Sequence, residues 1–300
     1  MARGRLRVPA AERESAPYTE FAAVYDAVMR DVRYDLWADY VEELCSRHGL
    51  EPRTVLDVAC GTGGSTFPFA TRGYRVAGVD ASAAMLDVAR AKAEAHGLDV
   101  EFARQDMRDL RPEELAAGPE FDLVICLYDS INYVTDPREM VAVLRGVRRA
   151  LRPGGLFIFD SNAARRLSQM TQATLVMEGP GWVFIERNEY DPRTFMWEMK
   201  VTGFLQTQRG LWRRFTETHR ERSYTEREMR RMLERAGLVL EGAYAAFRWD
   251  PPGRDSARIH FVARRPTAGP TGTGRSGPAE TGRSGPAGPG AGGNPPCRAG

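Results

Sequence analysis

The residues best suited to chemistry lie in one glycine-rich stretch near residue 60. An apolar run that begins at Thr54 contains Asp57, and Gly61 and Gly63 follow within six residues. Glycine lets a backbone turn tightly and approach a ligand with no Cβ in the way, as nucleotide-binding loops require. A carboxylate beside such a loop repels a pyrophosphate and attracts a cationic α-amino group. The loop therefore predicts a nucleotide ligand, and Asp57 indicates one that carries an amino-acid moiety.

Further polar residues follow the next two predicted strands. Asp80, after the second strand, suits the two hydroxyls of a ribose, as an acid does in dinucleotide-binding proteins. Asp106, after the third strand, suits the exocyclic amine of adenine, and Met85 and Met107 offer apolar faces to the ring. Each acid alone is also typical of a helix cap or a solvated turn. Their joint occurrence with Asp57 predicts S-adenosylmethionine as the ligand.

An NAD-dependent dehydrogenase is the main competing interpretation of the glycine loop. The dinucleotide fingerprint has a third glycine three residues after the second, and Thr66 occupies that position here. The carboxylate of Asp57 is also unfavourable beside a pyrophosphate. Both features favour the adenosyl methyl donor.

The order of predicted elements is that of an α/β protein. Helical and strand periodicities alternate up to residue 160 with short links, which implies a parallel, doubly wound sheet. The predicted strands cover residues 54–59, 74–79, 99–103, 121–127 and 156–160, and the helices cover about 35–48, 64–72, 82–96 and 137–151. Residues 182–224 then alternate as antiparallel strands, followed by a helix at 225–236 and strands at 238–247 and 257–264. A β insertion at this point lies over the carboxyl ends of the strands, where open α/β sheets bind ligands.

Composition narrows the class of protein. The 300 residues include 42 basic and 40 acidic side chains, and this balance argues against a protein that tracks a polyanion. The four cysteines lie far apart without metal-ligand spacing, which is typical of reduced thiols. No apolar run approaches the ~20 residues that span a bilayer, and no apolar segment follows the basic start as in a secretory signal. We therefore expect a cytoplasmic protein with no membrane or nucleic-acid partner.

The two ends of the chain differ in composition from the rest. Residues 1–16 are rich in Arg, Glu and Ala, and residues 266–300 consist largely of Gly, Pro, Ser, Thr and Arg with a repeated seven-residue motif. Such segments bury little apolar area, so we expect a disordered arm and a disordered tail. One domain over residues 17–265 remains, with the β insertion at about 175–224.

Four motifs together resemble those of class I S-adenosylmethionine-dependent methyltransferases. They are Leu56-Asp-Val-Ala-Cys-Gly-Thr-Gly63, Val79-Asp-Ala-Ser-Ala-Ala-Met85, Gln105-Asp106 and Leu151-Arg-Pro-Gly-Gly155. The resemblance covers about residues 18–265 and is greatest to small-molecule N-methyltransferases with an inserted β lid, of the glycine/sarcosine and aminosugar dimethyltransferase kinds. The segment from Glu217 to Tyr224 resembles the aminosugar enzymes in particular. The resemblance implies a Rossmann-like, seven-stranded doubly wound sheet with its last strand antiparallel, plus an inserted antiparallel β lid.

The resemblance also implies which residues bind the cofactor, S-adenosylmethionine. Asp57 and the glycines take the methionine end, Asp80 the ribose, and residues 105–107 the adenine, while the segment from Tyr18 resembles the family's lid helix. The full predicted set is Tyr18, Tyr25, Asp57, Ala59, Gly61, Gly63, Asp80, Ala81, Met85, Gln105, Asp106, Met107 and Leu127.

Catalysis of methyl transfer makes modest demands on side chains. The reaction is an in-line displacement, so alignment and exclusion of water supply much of the rate. A base is needed only where the acceptor arrives protonated or is a hydroxyl. Tyr133, after the fourth strand, and His219, in the inserted strands, are the candidate catalytic residues. The aminosugar enzymes have His at the position of Tyr133, and a phenol with a pKa of ~10 is a weaker base near neutrality.

We therefore expect a methyltransferase that acts on a small molecule, an amine in preference to a hydroxyl. Methylation of RNA or protein and a non-catalytic S-adenosylmethionine-binding module are the alternatives. A metal-dependent O-methyltransferase, with Asp129, Asp160 and Asn162 as oxygen ligands, is less favoured because these are ordinary strand-end residues; no metal is expected. The acceptor itself stays open, and so does the choice between a monomer and a homodimer.

Overall fold

The computed structural model describes residues 14–171, 174–207 and 209–267. Nearly all of the predicted arm (1–16) and tail (266–300) lie outside these residues. The described elements form two β-sheets with helices packed on the larger one.

The larger sheet has seven strands in the spatial order β10-β11-β5-β4-β1-β2-β3. Its strands are β1 (Thr54–Val58), β2 (Arg75–Asp80), β3 (Val100–Arg104), β4 (Phe121–Cys126), β5 (Leu151–Asn162), β10 (Val239–Ala245) and β11 (Arg258–Arg264). Strands β1 to β5 are mutually parallel, and β11 pairs antiparallel with both of its neighbours. The predicted seven-stranded, doubly wound sheet with an antiparallel last strand is therefore confirmed. The carboxyl ends of β4, β1, β2 and β3 lie side by side at one edge.

Helices cover both faces of this sheet. They are α2 (Tyr34–Arg47), α3 (Thr66–Thr71), α4 (Ala83–His96), α5 (Pro137–Ala150) and α7 (Glu226–Ala236). Two short helices, α1 (Tyr25–Val28) and α6 (Ala164–Met170), pack instead with the core of the smaller sheet. Alternation along β1 divides the core: Leu56 and Val58 pack with residues of α5 and α7, whereas Val55 packs with residues of α2. The predicted cap of α4 is present, since Ser82 Oγ accepts from the Met85 N–H and Gly97 ends the helix in the left-handed region.

One boundary differs from the sequence-based expectation. The predicted turn at Pro153–Gly155 lies inside β5, which begins at Leu151 and not at residue 156. The pairing of β4 with β5 shifts register between Phe121 and Leu123, and Gly154 has a positive φ of 83°. The glycines thus make an irregularity within a strand, because the chain bends without leaving the sheet.

The smaller sheet, called here the lid sheet, is antiparallel and has the order β6-β7-β8-β9. Its strands are β6 (Leu175–Gly179), β7 (Trp182–Asp191), β8 (Met196–Gln206) and β9 (Trp212–Arg222). The predicted β lid is therefore present, with a first strand, β6, that the alternation did not indicate. The N-terminal segment, residues 18–28, packs on this sheet, with the Phe21 ring stacked 4.5 Å from that of Phe184.

No helix among the described residues is both long and apolar enough to cross a membrane.

Candidate active site

The donor loop, residues 59–64, follows β1 at the edge where the parallel strands end. Ala59, Gly61 and Gly63 all have positive φ, at 61°, 55° and 84°. A Cβ on Gly63 would lie 2.6 Å from the Phe67 ring, and one on Gly61 would lie 3.2 Å from the methyl group of Met85. Glycine is therefore required at residue 63 for both backbone conformation and space. The loop lies at the strand ends, where Ala59, Gly61 and Gly64 are half-buried and the other three residues are buried.

Asp57 lies at the base of this loop and is fully buried. Its Oδ2 accepts hydrogen bonds from Ser65 Oγ and Thr66 Oγ1, each at 2.7 Å. Its Oδ1 has no partner among the described residues. Burial raises the pKa of the carboxyl to about 7, although the two hydroxyl donors lower it. A buried carboxylate oxygen without a partner fits the α-ammonium group of S-adenosylmethionine.

Asp80 joins the donor loop to the start of α4. Its Oδ2 accepts from the Gly61 N–H at 2.9 Å and its Oδ1 from the Ser82 N–H at 2.8 Å. Each carboxylate oxygen has a second lone pair, so both remain able to accept from a ribose hydroxyl. Burial raises the pKa of Asp80, and the two backbone donors lower it. The position suits the predicted ribose contact.

The residues predicted for adenine have partners within the protein. Asp106 accepts from the Arg108 guanidinium through both carboxylate oxygens, and this pairing holds the pKa of the carboxyl below its usual range. The Gln105 side chain bonds the Arg111 backbone at both its ends, with Nε2 donating at 3.0 Å and Oε1 accepting at 2.9 Å. Gln105 therefore shapes the loop after β3. Met107 packs at the edge of the core nearby.

The remaining predicted donor residues lie around the same strand ends. Met85 and Leu127 are buried. The Ala81 carbonyl accepts from the Arg104 side chain. Tyr25 packs edge-on against Tyr18, with ring centroids 5.9 Å apart.

Tyr18 connects the N-terminal segment to the residues after β2 and to the lid sheet. Its carbonyl accepts from Ser82 Oγ at 2.7 Å, and its N–H donates to Glu217 Oε2 at 2.8 Å. Its φ of 58° is unusual for a residue with a large side chain. Burial raises its pKa well above the ordinary value, and the negative charges of Glu221 and Asp80 add to this. Tyr18 thus lies between the donor loop and the lid sheet.

The two predicted catalytic residues are in direct contact. Tyr133 shares a 2.6 Å hydrogen bond with the Tyr18 hydroxyl and a 2.9 Å hydrogen bond with His219 Nδ1. His219 Nε2 lies 3.4 Å from Glu217 Oε2, and both of these side chains are fully buried. The structure therefore brings Tyr18, Tyr133 and His219 together, and it places Glu217 next to His219.

Sequence reasoning did not identify Glu217 as a functional residue. Its Oε1 accepts from the N–H groups of Glu20 and Phe21, in addition to the Tyr18 contact through Oε2. The available signal was the spacing of residues 217, 219 and 221, which places three polar side chains on one face of a strand. Only the tertiary structure shows which groups these side chains contact.

The carboxylates considered for a metal have another partner. Arg258 donates to Asp160 and, at 2.6 Å, to Asp129 Oδ1. Asp160 also accepts from the backbone N–H groups of Tyr128 and Asp129, at 2.6 and 2.9 Å. These contacts give both acids a structural role, because they fix the loop after β4 where Tyr128 and Asp129 have positive φ.

Comparison with known proteins supports the interpretation of the donor loop. Residues 55–155 match the model of a family described as a methyltransferase domain. A protein of Geobacillus sp. (strain WCH70) whose name assigns it to the methyltransferases is 30% identical over 252 residues, which cover 83% of this chain and 99% of the relative.

Two solved structures are similar over most of the chain. An S-adenosylmethionine-dependent methyltransferase from Clostridium acetobutylicum ATCC 824 superposes with a TM-score of 0.71 at 28% identity, over 82% of this chain and 98% of the other. The sugar N-methyltransferase KedS8 from Streptoalloteichus sp ATCC 53650 gives a TM-score of 0.65 at 25% identity, over 89% and 99%.

Proposed function

Because the chain belongs to the class I S-adenosylmethionine-dependent methyltransferases and uses that methyl donor, we propose that its acceptor is a small-molecule amine. The observation that carries the choice of an amine is that the two tyrosine hydroxyls at the site stay protonated and so cannot take the proton of an alcohol. Burial raises the pKa of both Tyr18 and Tyr133 well above the ordinary value of a phenol. A hydroxyl acceptor needs a strong base, whereas an amine needs only to lose the proton of its ammonium form.

A second feature supports a small acceptor. His219 and Glu217 have no exposed surface, and the N-terminal segment and the lid sheet cover them. A chain of RNA or protein requires an open groove, and the near-equal numbers of acidic and basic residues argue against a protein that tracks a polyanion. The similarity to the sugar N-methyltransferase KedS8 agrees with a small, nitrogen-bearing acceptor.

On this proposal, each predicted donor residue contacts a different part of S-adenosylmethionine. The free oxygen of Asp57 accepts from the α-ammonium group, Asp80 accepts from the ribose hydroxyls, and Met85 and Leu127 offer apolar contact. When bound, S-adenosylmethionine supplies a methyl group activated by the adjacent sulfonium. The residues that surround it need only hold it in place and exclude water.

Tyr18 and Tyr133 orient the acceptor on this proposal. Their hydroxyls share a hydrogen bond, and His219 Nδ1 fixes the far side of Tyr133. A hydroxyl can donate to the lone pair of an amine or accept from its N–H, so the pair can orient the nitrogen before transfer. His219 positions Tyr133 through the hydrogen bond at Nδ1; its Nε2 lies 3.4 Å from Glu217 Oε2 and has no hydrogen-bond partner among the described residues.

Binding and transfer measurements test the proposal in turn. Calorimetry should show binding of S-adenosylhomocysteine, and Asp80→Ala should weaken it more than about tenfold, as expected for a lost charge-assisted hydrogen bond. Asp87→Ala, an exposed site on α4, is the matched control. Transfer of labelled methyl to glucosamine and cyclohexylamine should exceed transfer to glucose and cyclohexanol. Methylation of the alcohols alone would overturn the choice of an amine, and a folded protein that binds neither form of the donor would overturn the assignment of its site.

A further inference from the structure

The inner face of the lid sheet carries two glutamates with a histidine between them in successive rows of β9. Strand β9 alternates, so that Glu217, His219 and Glu221 are buried while Arg220 is exposed. Strand pairing places Val201 beside Glu217, Met199 beside His219 and Trp197 beside Glu221 on the same face. Glu217 accepts hydrogen bonds from three backbone N–H groups of the N-terminal segment. Glu221 has no comparable set of donors.

Glu221 is 4% exposed, and among the described residues its one hydrogen bond comes from Asn162 Nδ2 at 3.5 Å. Its neighbours Trp197 and Asn162 each have a buried polar atom, Nε1 and Oδ1 respectively, without a hydrogen-bond partner among the described residues. Both side chains are 2% exposed. A buried donor and a buried acceptor without partners are costly in a closed protein, and a polar ligand removes that cost. The surroundings of Glu221 therefore indicate a ligand contact.

Among the described residues, no cationic side chain is hydrogen-bonded to Glu221. Burial raises its pKa well above the ordinary value, and Asp129 raises it further. Arg258 and Arg166 lower it through space, but Arg258 is hydrogen-bonded to Asp129 and Asp160. A buried carboxylate without a bonded cation favours a positively charged ligand.

Glu221 also lies close to the predicted catalytic residues. Its charge raises the pKa of both Tyr18 and Tyr133, after the larger effect of burial. His219, two residues earlier on β9, bonds the Tyr133 hydroxyl through Nδ1, and its Nε2 lies 3.4 Å from Glu217 Oε2. Within this group, Glu221 is the carboxylate left to face an acceptor.

We propose that Glu221 is a catalytic residue that binds the acceptor as an ammonium ion and takes its proton. This inference rests on the proposed function, since it assumes an amine acceptor. The N–H bond breaks, an O–H bond forms on the Glu221 carboxylate, and the electron pair stays on nitrogen. That pair then attacks the methyl carbon, whose bonding electrons pass to the sulfur of the donor. Tyr18 and Tyr133 orient the nitrogen while Glu221 holds the proton.

A binding experiment with a matched pair of probes tests the cation contact. Cyclohexylamine and cyclohexanol are titrated into the S-adenosylhomocysteine complex near neutral pH, where the amine is charged and the alcohol is not. We expect the wild-type protein to bind the amine at least about tenfold more tightly, and Glu221→Gln to lose that preference. Glu189→Gln, on the exposed face of β7, is the matched control and should retain it. A preference that survives in Glu221→Gln, or is absent from the wild type, overturns the inference.

The pH profile of methyl transfer separates catalysis from structure. A base must be ionised to act, so the rate with the wild type should fall as the pH drops through the raised pKa of Glu221. In Glu221→Gln the loss should be largest near neutral pH and should shrink toward pH ~10, where free amine becomes abundant in solution. A loss of equal size at every pH would indicate a structural role and overturn the inference.

Two further measurements distinguish a failure of this inference from misfolding of the variant and from a failure of the proposed function. Unchanged S-adenosylhomocysteine affinity in Glu221→Gln shows that the variant is folded, and Glu221→Asp, which keeps the charge, should restore part of the amine preference. If the proposed function fails, the wild-type protein itself will not methylate amines. If only this inference fails, Glu221→Gln will methylate amines with the wild-type pH profile.

Discussion

The donor half and the acceptor half of the site are built from contacts of very different range. Asp57 bonds Ser65 and Thr66, eight and nine residues away, and Asp80 bonds Gly61 across 19 residues. In the acceptor half, the Tyr18–Tyr133 contact spans 115 residues and the Tyr133–His219 contact spans 86. The residues of the donor half therefore lie in one short stretch of sequence, whereas those of the acceptor half come into contact only when distant segments pack together.

The predicted residues of the two halves also differ in whether they bond one another. In the donor half, one buried oxygen of Asp57 has no partner within the described residues. In the acceptor half, Tyr18, Tyr133 and His219 bond one another in a chain. Mutations in the donor half should therefore act mainly on cofactor affinity. Mutations in the acceptor half should act on turnover and on the attachment of the N-terminal segment.

The largest effect should come from Asp57→Asn. The substitution keeps the shape but removes the charge that faces the α-ammonium group, so we expect affinity for S-adenosylmethionine to fall about 100-fold, the cost of leaving a partly buried cation unpaired. Calorimetry measures this directly. Asp87→Asn, on the exposed face of α4, should leave the affinity unchanged.

The same substitution should stabilise the ligand-free protein at high pH. The pKa of Asp57 is about 7 in the folded chain, above its ordinary value, so its burial costs nothing below the unfolded pKa of ~3.9. The destabilisation grows as the pH rises from ~3.9 to about 7 and is complete above that pH. The difference between a pKa of ~3.9 in the unfolded chain and one of about 7 in the folded chain corresponds to at most about 4 kcal/mol. Urea denaturation should show that Asp57→Asn raises the free energy of unfolding at pH 8 more than at pH 5. An equal change at both values would contradict the raised pKa.

These differences explain how much of the molecule was predictable from sequence. Asp57 bonds the side chains of Ser65 and Thr66, and Asp80 bonds the backbone of Gly61, so local spacing was enough to predict that these residues lie together; their contacts with the donor stay a prediction. The α/β order was likewise local, because each strand and helix carries its own periodicity. Glu217 was not predictable as the anchor of Tyr18, Glu20 and Phe21, since those contacts span 196 to 199 residues. Strand β6, with Leu175 and Val176 exposed, lacked the buried face that alternation detects.

A smaller effect should follow from Glu217→Gln, which weakens the attachment of the N-terminal segment. Three backbone N–H groups donate to the buried carboxylate, and an amide offers them one oxygen in place of two. We expect the free energy of unfolding to fall by about 2 kcal/mol, the typical worth of a hydrogen bond to a charged group. Urea denaturation measures the change, and limited proteolysis should cut the N-terminal segment sooner.

The matched control for this prediction is Glu198→Gln. Glu198 lies on the opposite face of the lid sheet and pairs with Arg220 at 2.8 Å, where both side chains reach solvent. Surface pairs of this kind contribute about 0–1 kcal/mol, so the control should be close to wild type. Equal destabilisation of the two variants would mean that Glu217 has no special role in holding the N-terminal segment.

The smallest effect should come from Tyr133→Phe, which removes one hydroxyl from the acceptor half and leaves the donor half intact. Tyr18 and His219 each lose a hydrogen-bond partner, so the acceptor nitrogen is oriented less well. We expect kcat to fall about tenfold, which corresponds to about 1.4 kcal/mol, with S-adenosylhomocysteine affinity unchanged. Tyr74→Phe, which removes a hydroxyl that bonds Glu42, is the control and should keep kcat. If Tyr133→Phe instead weakens cofactor binding with kcat preserved, Tyr133 belongs to the donor half, and the boundary between the two halves must move to the lid sheet.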